Sequence, residues 1–424
     1  MKPIHTIVEK TVDLRAGELP ALLISFSYFF CLLSAYYILR PLRDEMGIMG
    51  GIKNLPWVFS ATFLVILAMV PLYGWVSSRY PRRQFLPLVY LFFISNLLIF
   101  YALFYFQVAS AHVAQIFFVW VSVFNLFVVS VFWSFMNDIY DKEQAKRLFG
   151  SIAAGGTVGA LVGPLLTSWL AQPLGLHNLL LLSVALLGLA IVLIAKLSNW
   201  YDQQPRGEID TAYQKPLNRN IFAAFPLVFN SPYLMGICLL ILMYTTLSTF
   251  LYFQQASIIS QNFSDSAQRT SVFAMIDLAV NTLTIIIQLF FTGRLVKRIG
   301  LPWALALIPL LLVAGFLVLS FLPVLSVLVV LQVLRRAGNY AIMRPSREML
   351  FVVLGREEKY KAKSFIDTVV YRGGDAVSAW VYDAMRGVGF SISHIALIAV
   401  PLAAAWAFVA YRLGIKREQL AKNE

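Results

Sequence analysis

Charge is scarce in this chain. Only 13% of its 424 residues are Asp, Glu, Lys or Arg, and 59% are hydrophobic; soluble domains carry roughly 25% charged residues. A soluble enzyme is thereby excluded. Cysteine is nearly absent. Cys31 and Cys238 both sit in apolar runs, which reads as buried packing and leaves no disulfide framework or thiolate metal site. His5, His112, His177 and His394 are scattered along the chain, so no imidazole cluster supports a metal. No nucleophile–base pairing and no cofactor motif emerges. Acidic residues number 21 against 34 basic ones, for a net charge of +13. A nucleic-acid partner is not implied, because the excess lies in loops between apolar runs. No cleavable signal peptide or Ser/Arg-rich transit segment stands before the first apolar run near Leu19, which points to a bacterial inner membrane.

What the chain has in quantity is apolar length. About twelve stretches of roughly 20 residues are each long enough to cross about 30 Å of hydrocarbon. They fall near 19–39, 55–77, 84–106, 112–136, 148–170, 176–198, 226–258, 268–292, 301–320, 323–343, 364–385 and 393–412. With the N-terminus inside, Lys and Arg crowd the inner segments, as at Arg79, Arg82, Arg83, Lys142, Arg147, Arg294, Arg298, Arg344 and Arg347. The outer segments hold only Arg40, Arg43, Lys53, Arg269 and Arg386. That asymmetry is the positive-inside pattern and puts both termini in the cytoplasm. One long polar break, Asn199 to Phe225, reads as a cytoplasmic linker between an N-terminal half (1–198) and a C-terminal half (226–424). The expectation is an all-α polytopic membrane protein, twelve transmembrane helices in two pseudo-symmetric six-helix halves, embedded in lipid as a monomer.

The charges that remain inside or at the ends of these spans carry the functional signal. Arg335, Arg336 and Arg372 lie within spans 10 and 11. A charge at the bilayer centre costs roughly 2.5–3.5 kcal/mol on insertion scales, and folding alone does not require that cost. Guanidinium forks suit carboxylate and phosphate, so an anionic substrate is expected. Arg40 and Arg43, three apart at the end of span 1, read either as anion ligands or as interfacial side chains of a helix that Pro41 terminates. Arg335 and Asn339 share a face at i, i+4, and adjacent Arg336 points about 100° away; span 10 ending near Leu334 instead would leave both arginines at its edge. Asp367, Tyr371, Asp375 and Asp383 form a stripe in span 11 at helical spacing. Asp277, Asn281, Thr284 and Gln288 form another in span 8. Asp44, Asp277, Asp367 and Asp375 are candidates either for proton coupling or for counter-charges to the arginines. Tyr36, Asn125 and Tyr244 offer stacking and hydrogen bonds to a substrate. The small-residue run from Gly150 to Gly163 lacks the G-K-[ST] of a phosphate loop and reads instead as a surface for close helix contact.

The two halves repeat each other. Gly74-Trp75-Val76-Ser77-Ser78-Arg79-Tyr80-Pro81-Arg82-Arg83 comes after span 2, and Gly293-Arg294-Leu295-Val296-Lys297-Arg298-Ile299-Gly300 comes after span 8. Gly155-Gly156 and Gly373-Gly374 are separated by nearly the same interval, about half the chain. Both loops resemble the cytoplasmic signature of the major facilitator superfamily, G-x-x-x-D-[RK]-x-G-[RK]-[RK]. The resemblance implies two parallel six-helix halves with a substrate site near the midplane. It also implies a gating role for Gly74, Arg79, Arg82, Arg83, Gly293 and Arg298.

A second resemblance is narrower. Leu39-Arg40-Pro41-Leu42-Arg43-Asp44 is similar to the I-L-R-D-x-K-D signature of the ATP/ADP translocase family, with Arg43 at the position of the motif Lys. Ser346-Arg347-Glu348-Met349-Leu350-Phe351, Glu358-Lys359-Tyr360-Lys361-Ala362-Lys363 and Tyr371-Arg372-Gly373-Gly374-Asp375-Ala376 resemble further segments of that family. The likeness implies an alternating-access transporter, by antiport, for a nucleotide or related phosphorylated metabolite, with protons or phosphate as candidate counter-substrates. Two alternatives stay open: a proton-coupled facilitator for a non-nucleotide metabolite or drug, and a non-transporting membrane sensor.

Overall fold

The computed structural model describes residues 14–422 apart from 16, 80–81, 109–110 and 204–224; most of the expected linker therefore lies outside the described residues. Among these residues there is no strand. The helices are α1 (Leu19–Met49), α2 (Leu55–Arg79), α3 (Arg82–Tyr105), α4 (Ala111–Ile139), α5 (Lys142–Leu174), α6 (Leu176–Asp202), α7 (Pro232–Asn262), α8 (Ser266–Phe290), α9 (Thr292–Phe321), α10 (Leu325–Leu350), α11 (residues 356–387) and α12 (Ile392–Lys422). A short helix, Phe225–Asn230, precedes α7. Eleven helices among the described residues are long and apolar enough to cross a membrane. The twelfth expected span, α11, is helical throughout but carries Asp367, Arg372, Asp375 and Asp383, and it is not among those eleven.

Several expected boundaries move, for identifiable reasons. Helix α1 does not stop at Pro41 but runs on to Met49, so Arg40, Arg43, Asp44 and Glu45 all lie on helix. A proline interrupts only the one backbone bond it cannot donate, and transmembrane helices tolerate that loss. The seventh span is broken at Ser231, whose side chain caps the amide of Leu234, with Pro232 occupying the first helical turn. The loop after α8 is itself helical: α9 starts at Thr292 and bends at Gly300, whose φ of 76° favours glycine. At α5 the Asp141 carboxylate accepts from the amide of Gln144, and the Gln144 side chain accepts in return from the amide of Asp141.

Two π-helical segments interrupt the α-helices, Asn339–Met343 in α10 and Ile366–Val370 in α11. A π turn closes i→i+5 bonds and rotates the helix on its C-terminal side relative to the helix on its N-terminal side. The expected stripe from Asp367 to Tyr371 and Asp375 is broken for that reason. Asp367 pairs instead with Arg347, at 3.1 Å. Arg335 and Arg336 lie in the last α turn before the other π segment and are buried, with helix continuing beyond them to Leu350. They are not at the end of a span.

The described residues cluster into two compact units. The first comprises the described residues of Met1–Met46, Leu72–Leu217 and Asp265–Leu278, the second those of Gly47–Pro71, Asn218–Ser264 and Ala279–Glu424. The first has an aromatic core in which Tyr28, Phe117, Phe124, Phe132 and Phe135 are fully enclosed and Phe29 stacks on Phe132 at 4.1 Å. In it glycines of α5 press closely on α1. A methyl group on Gly155 would meet the carbonyl of Phe26, and one on Gly159 would come within 2.6 Å of the carbonyl of Phe30. In the second unit Trp406, Phe253, Phe316 and Phe351 are enclosed, and a methyl group on Gly374 of α11 would strike Thr245 of α7. Lipid tails are as apolar as these side chains, so close packing rather than water exclusion holds such contacts.

Candidate functional site

In the first unit the ionic side chains gather where α1 meets the start of α8. The Arg40 guanidinium lies 3.5 Å from the Asp277 carboxylate and 5.8 Å from the ring centre of Tyr37. Tyr36, buried, sets its ring edge-on to Tyr37 at 5.1 Å. Arg43 turns toward α4: it donates to Asp44 at 2.7 and 3.1 Å, and its guanidinium lies 4.8 Å from the Phe118 ring centre. Arg40 and Arg43 thus serve different neighbours. Beyond them Glu45, fully enclosed, accepts from Arg269 at 2.6 and 2.8 Å and from the Ser266 hydroxyl at 2.7 Å. Nothing in the local sequence around Glu45 announces a partner so far along the chain. Asn125 is half-buried on α4.

In the second unit the arginines of α10 and α11 meet α7. The Arg335 Nε and Nη2 donate to Gln332 Oε1 at 3.2 and 2.7 Å, and Nη1 donates to the hydroxyl of Ser248. Among the described residues, no carboxylate pairs with Arg335. The Tyr244 and Tyr371 rings lie 5.9 Å apart on α7 and α11. Arg372 is 3.6 Å from Asp375 and 5.7 Å from the Tyr371 ring centre. Asp375 also accepts from Thr249 at 3.5 Å. Arg336 is buried and Asn339 half-buried. Ser248 and Gln332, which hold Arg335, and Gln255, which holds Gln332, stand in the sequence only as polar residues in apolar runs.

The structure therefore brings together Arg40 with Asp277, Arg43 with Asp44, Arg372 with Asp375, and Tyr244 with Tyr371. It takes Asp367 away to Arg347. The expected gating loops divide. Gly74 is helical within α2, but the side chains of residues 73–84, including Arg79, Arg82 and Arg83, lie outside the described residues. Gly293 and Arg298 are exposed on the helical start of α9, and a methyl group on Gly293 would meet nothing. In that loop the glycine the backbone requires is Gly300.

Membrane-length helices that enclose arginines, carboxylates and tyrosines are the arrangement of a membrane transporter. A family model described as the Major Facilitator Superfamily matches residues 21–374, and the chain belongs to that superfamily. Among curated proteins it is similar to ADP,ATP carrier protein 1 of Chlamydia muridarum, 23% identical over 62% of this chain and 56% of that protein. It is also similar to ADP,ATP carrier protein 1 of Chlamydia trachomatis serovar D, 22% identical over 92% of this chain and 87% of that protein. Among solved structures, the nucleoside transporter NupG aligns with a TM-score of 0.65 and 14% identity over 94% of this chain and 98% of that one. A POT family transporter in complex with a thioalcohol-conjugated peptide aligns as well, with a TM-score of 0.64 and 11% identity over 94% of this chain and 96% of that one. Structural likeness to carriers of such different compounds shows the fold and leaves the substrate to the side chains.

Proposed function

We propose that this protein is a secondary active transporter that exchanges a nucleotide or related phosphorylated anion by alternating access. The observation that carries the reading is Arg335: a buried guanidinium that, among the described residues, is held by the neutral groups of Gln332 and Ser248 in the middle of a membrane-length helix. Burying an uncompensated charge is costly, and a ligand phosphate is the counter-ion that would offset that cost at each binding event. Tyr244 and Tyr371, whose rings lie 5.9 Å apart in the same unit, suit a flat, polar-edged group. The names of the Chlamydia relatives agree with such a substrate. Under this proposal residues 1–198 and 226–424 are the two six-helix halves, 199–225 links them, and both termini face the cytoplasm of a bacterial inner membrane. Reconstituted into liposomes, the protein is expected to take up labelled ATP or ADP faster when unlabelled nucleotide is inside. Absence of trans-stimulated uptake across ATP, ADP, other nucleotides and NAD would remove the reading.

A second reading rests on Asp277, a nearly fully buried carboxylate paired with Arg40: proton-coupled transport of a different metabolite. Under it, accumulation follows an imposed pH gradient, and Asp277→Asn leaves exchange intact while abolishing accumulation. Accumulation that ignores proton gradients and ionophores would exclude it.

A further inference from the structure

We infer that Gln332, oriented by Gln255, is the residue that makes the Arg335 site select an anion; the inference rests on the reading of that site given above. A guanidinium offers five N–H donors. Three are used: Nε and Nη2 on Gln332 Oε1 and Nη1 on Ser248. Among the described residues one N–H therefore remains on each terminal nitrogen for phosphate or carboxylate oxygens.

The amide of Gln332 has one orientation that satisfies its surroundings. Its Nε2 donates to Gln255 Oε1 at 2.6 Å and to the Leu251 carbonyl at 3.3 Å, which directs Oε1 at Arg335. Turned over, its NH2 would face the guanidinium donors and its oxygen would face two acceptors. Gln332 is 1% exposed and Gln255 4%, so no bulk water rearranges this line of groups. The sequence of contacts is Gln255, Gln332, Arg335, and every member before the arginine is neutral.

That neutrality is the informative part. A glutamate has nearly the same shape as glutamine, and at position 332 it would accept from the same Nε and Nη2. It would also supply the missing counter-charge, which a buried arginine otherwise lacks. For stability alone the acid is the better residue. The amide positions the fork while leaving its full charge to a ligand, so residue 332 sets whether the site prefers a polyanion or an uncharged molecule.

The test is equilibrium binding of ATP and of adenosine to purified full-length protein, comparing wild type with Gln332→Glu and Gln255→Glu. Wild type is expected to prefer ATP. Gln332→Glu is expected to weaken ATP by about tenfold or more, the contribution of a charge-assisted hydrogen bond, while changing adenosine much less. Gln255→Glu still accepts from the Gln332 amide but places the negative charge one group further away, so it shifts the same ratio by a smaller factor. It also carries the test alone if Gln332→Glu fails to fold. Wild-type preference for ATP with an unchanged ATP-to-adenosine ratio in the folded variants would overturn this inference alone. Failure of wild type to bind ATP or any other nucleotide would overturn the proposed function and this inference with it.

Discussion

Arg40 and Arg335 are the same side chain in two different electrostatic situations, and the difference predicts opposite responses to the same substitution. Arg40 faces the carboxylate of Asp277. Removing it leaves that acid buried beside a neutral group, and breaking a buried pair costs roughly 3–5 kcal/mol. Arg335 faces no acid among the described residues, so removing its charge relieves the membrane interior. Arg335→Gln is therefore expected to leave the ligand-free melting temperature unchanged or raised while abolishing binding of the anion. Arg40→Gln is expected to lower it clearly. Equal destabilisation by both would mean that Arg335 is structural. A third buried ion, Glu18, just before α1, is held well down, at about 2, by hydrogen bonds from Arg147, with help from the Arg15 amide and Gln144. Its folded pKa lies below the ordinary value of 4.5, so its stabilisation is present in full above pH 4.5 and is lost as pH falls toward 2. Glu18→Gln should lower stability at pH 7 by about 1–3 kcal/mol and flatten the acid limb of a melting-temperature profile; an unchanged acid limb would show the pair to be ornamental. The sequence marked most of these ions, since any arginine in an apolar run stands out. It did not tell which had an acid opposite, because that depends on residues far along the chain.

At the scale of helices, what could be read in advance was whatever has a local period. The run from Gly150 to Gly163 advertised a close helix contact, and α5 does press Gly155 and Gly159 onto the backbone of α1. The repeat of paired glycines in the second half was equally informative: Gly374 of α11 meets α7 as Gly155 of α5 meets α1. Interruptions of period were not readable. The π turns at Asn339–Met343 and Ile366–Val370 have no composition signal, and they undid the neatest stripe in the sequence by sending Asp367 to Arg347. A pair of glycines on one helix separates packing from propensity. Gly150 and Gly159 both lie in α5, but a methyl group on Gly150 meets nothing within 4 Å, whereas one on Gly159 meets backbone. Gly150→Ala is expected to stabilise by about 0.5–1 kcal/mol through the unfolded chain and helix propensity. Gly159→Ala should destabilise by roughly 1–3 kcal/mol, because a carbonyl of α1 cannot step aside as a side chain would. Thermal melts in detergent of the two variants suffice. A Gly159→Ala protein as stable as wild type would show that α1 and α5 do not approach as closely as described.

For the whole molecule, the general plan was legible and the contacts that operate it were not. Apolar length gave the spans and paired loops gave the repeat. Arg269, by contrast, looked like a basic residue in an outer loop, and Glu45 carried no signal at all. In the structure they form one buried ion pair with Ser266, and Arg40 with Asp277 forms another further along α1 and α8. Both pairs join α1 to α8. If the protein works by alternating access, α1 and α8 must part there in one half of the cycle, and two buried ion pairs set how readily they do. Neutralising one partner leaves the other charge buried, which favours the arrangement in which water reaches it. Glu45→Gln is thus expected to shift the population toward an opened α1–α8 junction. The native thiols, Cys31 and Cys238, are both buried, so a single Ser266→Cys substitution reports on access with little background. Its labelling by a membrane-impermeant maleimide should be several-fold faster with Glu45→Gln than without. The exchanged pair Glu45→Arg with Arg269→Glu should return the slow rate, because it restores opposite charges at the same separation. If labelling is indifferent to Glu45→Gln, or if the exchanged pair labels as fast as the neutralised one, the junction stays shut by packing alone, and these charges do not govern its opening.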